Sequence, residues 1–349
     1  MAKYSICVLP GDGIGPEVVG CARGVLDAVS AAGGPQFAYD EQSAGHGTFL
    51  EQGHAMPDAS MAAAKAADAV FLGAMDVAQI PPGGGDPLGD MRIELEVAAS
   101  VRPSRTIPGI PSPADDIDCV VVREVTEGLY SRDEYQPDDD TAYAIRVVTR
   151  EASRRTARMA FEQATARRRA RGARSDKSAR VTAVHKVGVL KLTDGLFLET
   201  CAEIAKEYPD IIYETRNIDA CAMEMVREPG HFDVILATNA FGDILSDIAA
   251  GLAAGLGLAA SACIGDRWAY FEPVHGTAPD IAGKGIANPC ATILSAAMML
   301  RYLGEDAGAA AVEAAVLEVL ADGQIRTGDL GGTAGSAKMT EAIVGALNL

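Results

Sequence analysis

Asp243 and Asp247 stand one turn apart in LATNAFGDILSDIAAG, residues 236–251, and residues four apart share a face of an α-helix. Two carboxylates so placed repel each other unless a cation, a helix N-terminus or water compensates them. The segment follows an apolar strand pattern, so Gly242 and Asp243 read as a strand-to-helix junction, where α/β folds bind ligands. The helix dipole alone would tolerate one anion there. Asp247 is flanked by Ile244, Leu245, Ile248 and Ala249, which points to partial burial. Mg²⁺ or Mn²⁺, hard ions that take oxygen ligands, would account for both acids.

Other residues of suitable type are scattered along the chain. VVVREVTEGLY puts Arg123 and Glu124 at the end of an apolar run and Tyr130 seven residues after Arg123; such an arginine can clamp a carboxylate and such a tyrosine can act as an acid. In LGDMRIELEVAASVRPSR, Pro103 reads as the end of a helix, so Arg92 and Arg102 reach one place only if the chain folds back. Three arginines would suit a dicarboxylate. Lys186 directly follows the strand pattern RVTAVH, Lys191 comes shortly after it, and Asp219 precedes an apolar helix. A lysine beside a metal can serve as base or proton relay. Each also has a plain structural reading: a surface arginine, a solvated lysine, a helix cap. Two loops are rich in glycine. LPGDGIGPE has the spacing G-x-G-x-G, which differs from the Rossmann turn. FEPVHGTAPDIAGKGIANP carries His275, Asp280 and Asn288 among three glycines, a composition that lets backbone approach a flat or phosphorylated ligand.

The elements that must position these groups alternate. Short runs (YSICVL, DAVFLG, DCVVVRE, RVTAVHK, DIIYETRN, DVILAT) are separated by longer helical patterns, which predicts an α/β fold with a largely parallel sheet. PEVVGCARGVLDAVSAAG opens with Pro16 and closes on Gly33, the order expected of a helix start and stop. RDEYQPDDDTAY reads as a turn or protruding excursion, and the basic run from Arg167 to Arg180 as a solvated helix end and loop. With 349 residues, 48% of them hydrophobic, the chain has room for two domains. A net charge of −18 argues against nucleic acid or an anionic membrane as partner. Seven cysteines form no CxxC pair and read as reduced core residues. The apolar stretch near residue 250 is too rich in glycine for a membrane span, and the N-terminus does not read as a secretory signal, so the expected location is the cytoplasm.

Together GDGIGPE, VVREVTEGLY, NIDACAMEMV, TNAFGDILSDIAAGL and FEPVHGTAPDIAGKGIANPCATILSAAMMLR resemble the β-decarboxylating dehydrogenases that act on isopropylmalate, isocitrate, homoisocitrate and tartrate. The likeness runs from about residue 4 to 345. It implies an isopropylmalate-dehydrogenase-like α/β fold with a large mixed sheet flanked by helices and a non-Rossmann cofactor site. The expected domains are 1–98 with 255–349 for the cofactor, and 99–254 carrying metal and substrate residues and a dimer-forming excursion. It further implies a homodimer whose active sites borrow residues from the partner. Arg92, Arg102 and Arg123 would hold the carboxylates of a 2-hydroxy dicarboxylate. Asp243 and Asp247, with Asp219 from the other subunit, would bind Mg²⁺ or Mn²⁺; Lys186 of the other subunit would take the hydroxyl proton, and Tyr130 would protonate carbon after decarboxylation. Ile14, His275, Gly276, Ala278, Asp280 and Asn288 would line the cofactor site. Asp280, by accepting the ribose hydroxyls and repelling a 2′-phosphate, selects NAD.

The chain departs from the family pattern at Val125 and Gly188, where asparagines are expected. Before Arg92, PPGGGDPLGDMR places Leu88 and Gly89 where the family carries a leucine pair or a polar group for a third carboxylate. Asp86 and Asp90 disfavour an anionic substituent nearby. The expected substrate is therefore a 3-substituted malate whose C3 group is not anionic. Alternatives are an isocitrate or homoisocitrate type of enzyme, a catalytically silent regulatory subunit of the same fold, and a metal-dependent lyase without nicotinamide.

Overall fold

The computed structural model describes residues 2–172, 177–253 and 255–348; Arg174, in the middle of the basic run, lies outside them. Two compact units form. The first comprises Met1–Glu96, Ile107–Ser112 and Ala254–Leu349, and the second Val97–Thr106 and Pro113–Ala253. In chain order the strands are β1 (Lys3–Leu9), β2 (Gln36–Glu41), β3 (Ala69–Leu72), β4 (Val97–Arg105), β5 (Asp118–Arg123), β6 (Glu134–Asp138), β7 (Thr141–Ala144), β8 (Arg180–His185), β9 (Ile212–Asn217), β10 (Val234–Ala237), β11 (Ala260–Gly265) and β12 (Ala269–Pro273).

In the first unit the strands run β2-β1-β3-β12-β11, parallel except that β11 is antiparallel to β12. Ile6, Val8, Phe71 and Phe271 from the strands pack with Val25, Leu26, Ile293, Leu300 and Val316 from helices in one core. The Gly15–Ala31 helix begins with Pro16 in its first turn and buries Val18, Val19, Ala22, Val25, Leu26 and Val29, the three- and four-residue spacing of one helical face. The glycine turn before it is structural. Gly13 has a φ of 59°, and a Cβ there would stand 2.1 Å from the Thr277 carbonyl oxygen. Asp12, between Gly11 and Gly13, accepts from the backbone N–H groups of His46, Gly47 and Asp76, each at 2.8 Å. One carboxylate thus ties three chain segments together.

In the second unit the order is β4-β5-β10-β8-β9, parallel except for the antiparallel pair β4–β5. Each unit thus holds one antiparallel pair in an otherwise parallel sheet, in line with the largely parallel sheet the sequence pattern predicts. The helix expected to end at Pro103 is corrected. A short helix, Pro87–Glu94, stops in a turn with Glu96 at a φ of 48°, and Arg102 and Pro103 lie within β4. Small residues at Ala98, Ala99 and Ser100 leave room for the Arg150–Arg171 helix, whose Thr156 hydroxyl donates to the Ala98 carbonyl at 3.0 Å. The acidic excursion is a hairpin of β6 and β7, with Tyr135 and Tyr143 stacked at 4.8 Å and exposed. Among the described residues no helix is long and apolar enough to cross a membrane.

Candidate active site

The second unit gathers three of the expected residues around one carboxylate. Arg123 ends β5 and is 1% exposed. Its Nε and Nη2 donate to Asn239 Oδ1 at 3.1 and 2.7 Å, and its Nη1 donates to Asp243 Oδ1. Gly242 makes this approach possible, since a Cβ there would lie 2.7 Å from the Arg123 Cβ. Arg102 is buried as well; it reaches Asp243 Oδ1 at 3.1 Å, Ser246 Oγ at 2.9 Å and Ser100 Oγ at 3.1 Å. Tyr130 donates its hydroxyl to Asp243 Oδ2 and lies beneath the Arg123 guanidinium, 4.9 Å from it to the ring centroid. Asn239 and Ser246, four residues before and three after Asp243, do not stand out in the sequence. The same helical spacing that pairs the aspartates would have found them.

Asp243 sits deeper in its helix than expected. The helix spans Asn239–Ala253 and has no acid in its first turn, so the dipole does not compensate this carboxylate. The arginines do. Burial pushes its carboxyl up, but Arg123, the Tyr130 hydroxyl and Arg102 outweigh that and hold it below the usual carboxylate range. Burial and the hydrogen bond to Asp243 raise the Tyr130 phenol, which keeps it protonated and able to donate.

Asp247 corrects a second expectation. The helix buries Leu245, Ser246, Ala249 and Ala250, which turns Asp247 outward into the exposed class beside Ile244, itself 56% exposed. Its carboxyl is nevertheless raised, by desolvation first and by Asp243. Two oxygen donors one turn apart fit a hard divalent cation. Among the described residues no group of three His, Cys, Asp or Glu side chains is arranged to hold a metal, and Asp219 pairs instead with the Lys186 ammonium.

Asp219 is not a cap. Asn217 precedes the Ile218–Arg227 helix without a side-chain cap bond, and Asp219 lies in the first turn, held below its ordinary range by the Lys186 hydrogen bond. The backbone of Lys186 is held as well. Its N–H donates to Asp194 Oδ2 at 2.5 Å, and Asp194, wholly buried, receives Arg146 Nη1 on Oδ1 at 2.5 Å. Arg146 also donates to Thr193 Oγ1 at 2.7 Å and Thr238 Oγ1 at 3.0 Å. Neither Arg146 nor Asp194 stands out in the sequence, because a polar pair 48 residues apart leaves no periodic signal.

The remaining expected residues lie in the first unit. Leu88 and Arg92 stand one turn apart on the Pro87–Glu94 helix, both partly exposed, and Arg92 Nε donates to the Tyr270 hydroxyl at 3.2 Å. Burial works against the Arg92 charge, but Tyr270, Cys263 and Glu272 around it keep the group firmly protonated. The glycine-rich loop is anchored where Ile14 N–H donates to the Thr277 carbonyl at 2.9 Å, and Ile14, Val18 and Ala287 pack with Ala278 and Ile281. Ala278 has a φ of 39°. His275 Nδ1 is 3.0 Å from the Gly276 carbonyl, its Nε2 is buried without a partner among the described residues, and burial lowers its pKa. A neutral imidazole with one unpartnered nitrogen, beside exposed Gly276 and Asp280, suits a purine and ribose. Asn288 is less available: its side chain donates to Asp329 at 2.9 Å and accepts from Cys290 N–H at 3.0 Å.

The isocitrate/isopropylmalate dehydrogenase family model matches residues 5–344. A 3-isopropylmalate dehydrogenase of Archaeoglobus fulgidus is 47% identical over 327 residues, covering 94% of each chain. An isocitrate/homoisocitrate dehydrogenase of Thermus thermophilus is 46% identical over 345 residues, 99% of this chain and 98% of that one. Among solved structures, an isocitrate dehydrogenase from Methylococcus capsulatus superposes with a TM-score of 0.90 at 45% identity, covering 100% of both chains.

Proposed function

The chain belongs to the isocitrate/isopropylmalate dehydrogenase family and is a decarboxylating oxidoreductase, and from that premise we propose that it oxidises and decarboxylates a 3-substituted malate whose C3 group is not anionic, using NAD and Mg²⁺ or Mn²⁺. The observation that carries the reading is the meeting of Arg102, Arg123 and Tyr130 at Asp243: two cations and a proton donor around one carboxylate. Asp243 and Asp247 would hold the divalent ion, which would supply Lewis-acid chemistry to the hydroxy acid, and the nicotinamide would supply the hydride acceptor. The two arginines hold the carboxylates of the hydroxy acid. Lys186 passes a proton to its partner Asp219 and takes up the hydroxyl proton as C2 is oxidised, and Tyr130 delivers a proton to C3 once CO₂ has left.

Lys186 and Asp219, paired with each other, are assigned to complete the partner's site in a homodimer. The first unit, with Ile14, His275, Gly276, Ala278 and Asp280, is assigned the cofactor, the exposed Asp280 favouring NAD over NADP. Seven free cysteines, six of them buried, agree with a reducing, cytoplasmic location. Leu88 beside Arg92 supplies an apolar contact where a third carboxylate would need a partner. The relatives named for isocitrate and homoisocitrate favour a second reading, a tricarboxylate substrate. A panel of 3-substituted malates assayed with Mn²⁺ and either NAD or NADP decides between them by absorbance of the reduced cofactor. Turnover of alkyl- or hydroxymalates above isocitrate is expected; isocitrate turned over well above isopropylmalate refutes the first reading.

A further inference from the structure

We propose that Arg146 and Asp194 form a buried strut that positions Lys186 for proton transfer, an inference that rests on the proposed role of Lys186. Asp194 lies in the first turn of the Thr193–Ala205 helix and is completely buried, a state a carboxylate occupies only when paired. Both of its oxygens are used. Oδ2 takes the Lys186 N–H at 2.5 Å and Oδ1 takes Arg146 at 2.5 Å, so the charge that fixes the lysine backbone is itself fixed by the arginine.

Arg146 does more than neutralise. Its two terminal nitrogens reach Thr193 at the start of that helix and Thr238 just after β10, and its guanidinium lies over the Phe241 ring at 5.4 Å. The Thr238 carbonyl accepts from Gly242 N–H at 2.8 Å, so the same guanidinium ties the end of β8, which carries Lys186, to the first turn of the helix that carries Asp243. A planar, forked cation suits such a bridge better than an ammonium. The Lys186 carbonyl accepts from Val189 and Leu190 N–H at 2.9 and 2.8 Å, so both backbone polar groups of the residue are held. Both strut residues stand behind Lys186 and are positioning residues.

The test uses Asp194→Asn and Arg146→Met, with Arg146→Lys as the conservative variant. Asp194→Asn and Arg146→Met are expected to lower kcat by about 10- to 100-fold, the cost of misplacing a reacting group by about an ångström, with the KM for NAD little changed. Arg146→Lys should recover part of that loss. In a Lys186→Met background neither variant should lower kcat further, because residues acting through one group are not additive. Amide hydrogen exchange at Lys186 should quicken in Asp194→Asn while β10 stays protected. Loss of kcat that persists undiminished in the Lys186→Met background overturns the proposal, as does unchanged exchange at Lys186. Full turnover by Lys186→Met would sink the proposed role of Lys186 itself, and exchange alone would then decide for or against the strut.

Discussion

Tyr130 donates its hydroxyl to one oxygen of Asp243 while Arg123 occupies the other. The carboxylate raises the phenol and is itself lowered, so the pair is poised as a neutral acid beside an anion. Tyr130→Phe removes the acid and leaves both arginines on Asp243. Steady-state kcat should fall about 10²- to 10⁴-fold, the usual value of a positioned proton donor, while hydride transfer in a single turnover stays fast. Parallel loss of the single-turnover rate would assign Tyr130 to oxidation instead.

Some of this arrangement is legible in the sequence and some is not. β1, β3, β5, β8, β9 and β10 stand where their apolar, mostly β-branched runs predict, and Asp243 with Asp247 follows from helical spacing alone. β4 is hidden because VAASVRPSR is small and polar for a strand; tertiary packing overrides local propensity there. β11 is hidden in an Ala- and Gly-rich stretch, and β12, AYFEP, is short and runs directly into the glycine-rich loop. Long-range polar pairs such as Arg146 with Asp194, or Asp12 with three backbone segments, leave no mark on periodicity and become visible only once the chain is folded.

Asp243 and Asp247 respond to acid in opposite directions. The Asp243 carboxyl is lowered on folding, so its contribution is complete above the unfolded aspartate value of about 4 and is lost as pH falls through the folded value. The Asp247 carboxyl is raised, so its charge costs stability once pH rises through the folded value and costs nothing below the unfolded one. In EDTA at pH 7, Asp243→Asn should melt below wild type, leaving buried Arg123 without its counter-charge, and Asp247→Asn at or above it. Manganese should then raise the Tm of wild type and raise Asp247→Asn much less. Equal manganese shifts would remove Asp247 from the metal site.

The two departures from the family pattern, alike in sequence, differ in the fold. Val125 is 1% exposed, and Val125→Asn would bury an amide without a ready partner at a cost of about 1–3 kcal/mol. Gly188 is exposed, and a Cβ added to it would meet nothing within 4 Å. Gly188→Asn should fold with unchanged or slightly higher stability, by up to about 1 kcal/mol through the unfolded chain. Urea midpoints of the two variants separate them; a large loss at Gly188→Asn would show that its backbone needs glycine.

Leu88 and Arg92 share one face of a short helix, and their pairing decides how a third carboxylate is received. The Asp86 N–H donates to Asp90 Oδ2 at 3.3 Å, which places two acids at the start of that helix. If the apolar contact excludes isocitrate, Leu88→Arg should raise the ratio of kcat/KM for isocitrate over isopropylmalate by about tenfold, equivalent to about 1.4 kcal/mol. If like-charge repulsion excludes it, Asp90→Asn should raise the same ratio with Leu88 still in place. Repulsion between partly exposed charges weakens with salt, so an Asp90→Asn effect should shrink as ionic strength rises, while a Leu88→Arg effect made by direct hydrogen-bonded pairing should shrink less. Should neither substitution move the ratio, the selection of the C3 group lies elsewhere in the site and the assignment of Leu88 to the substrate fails.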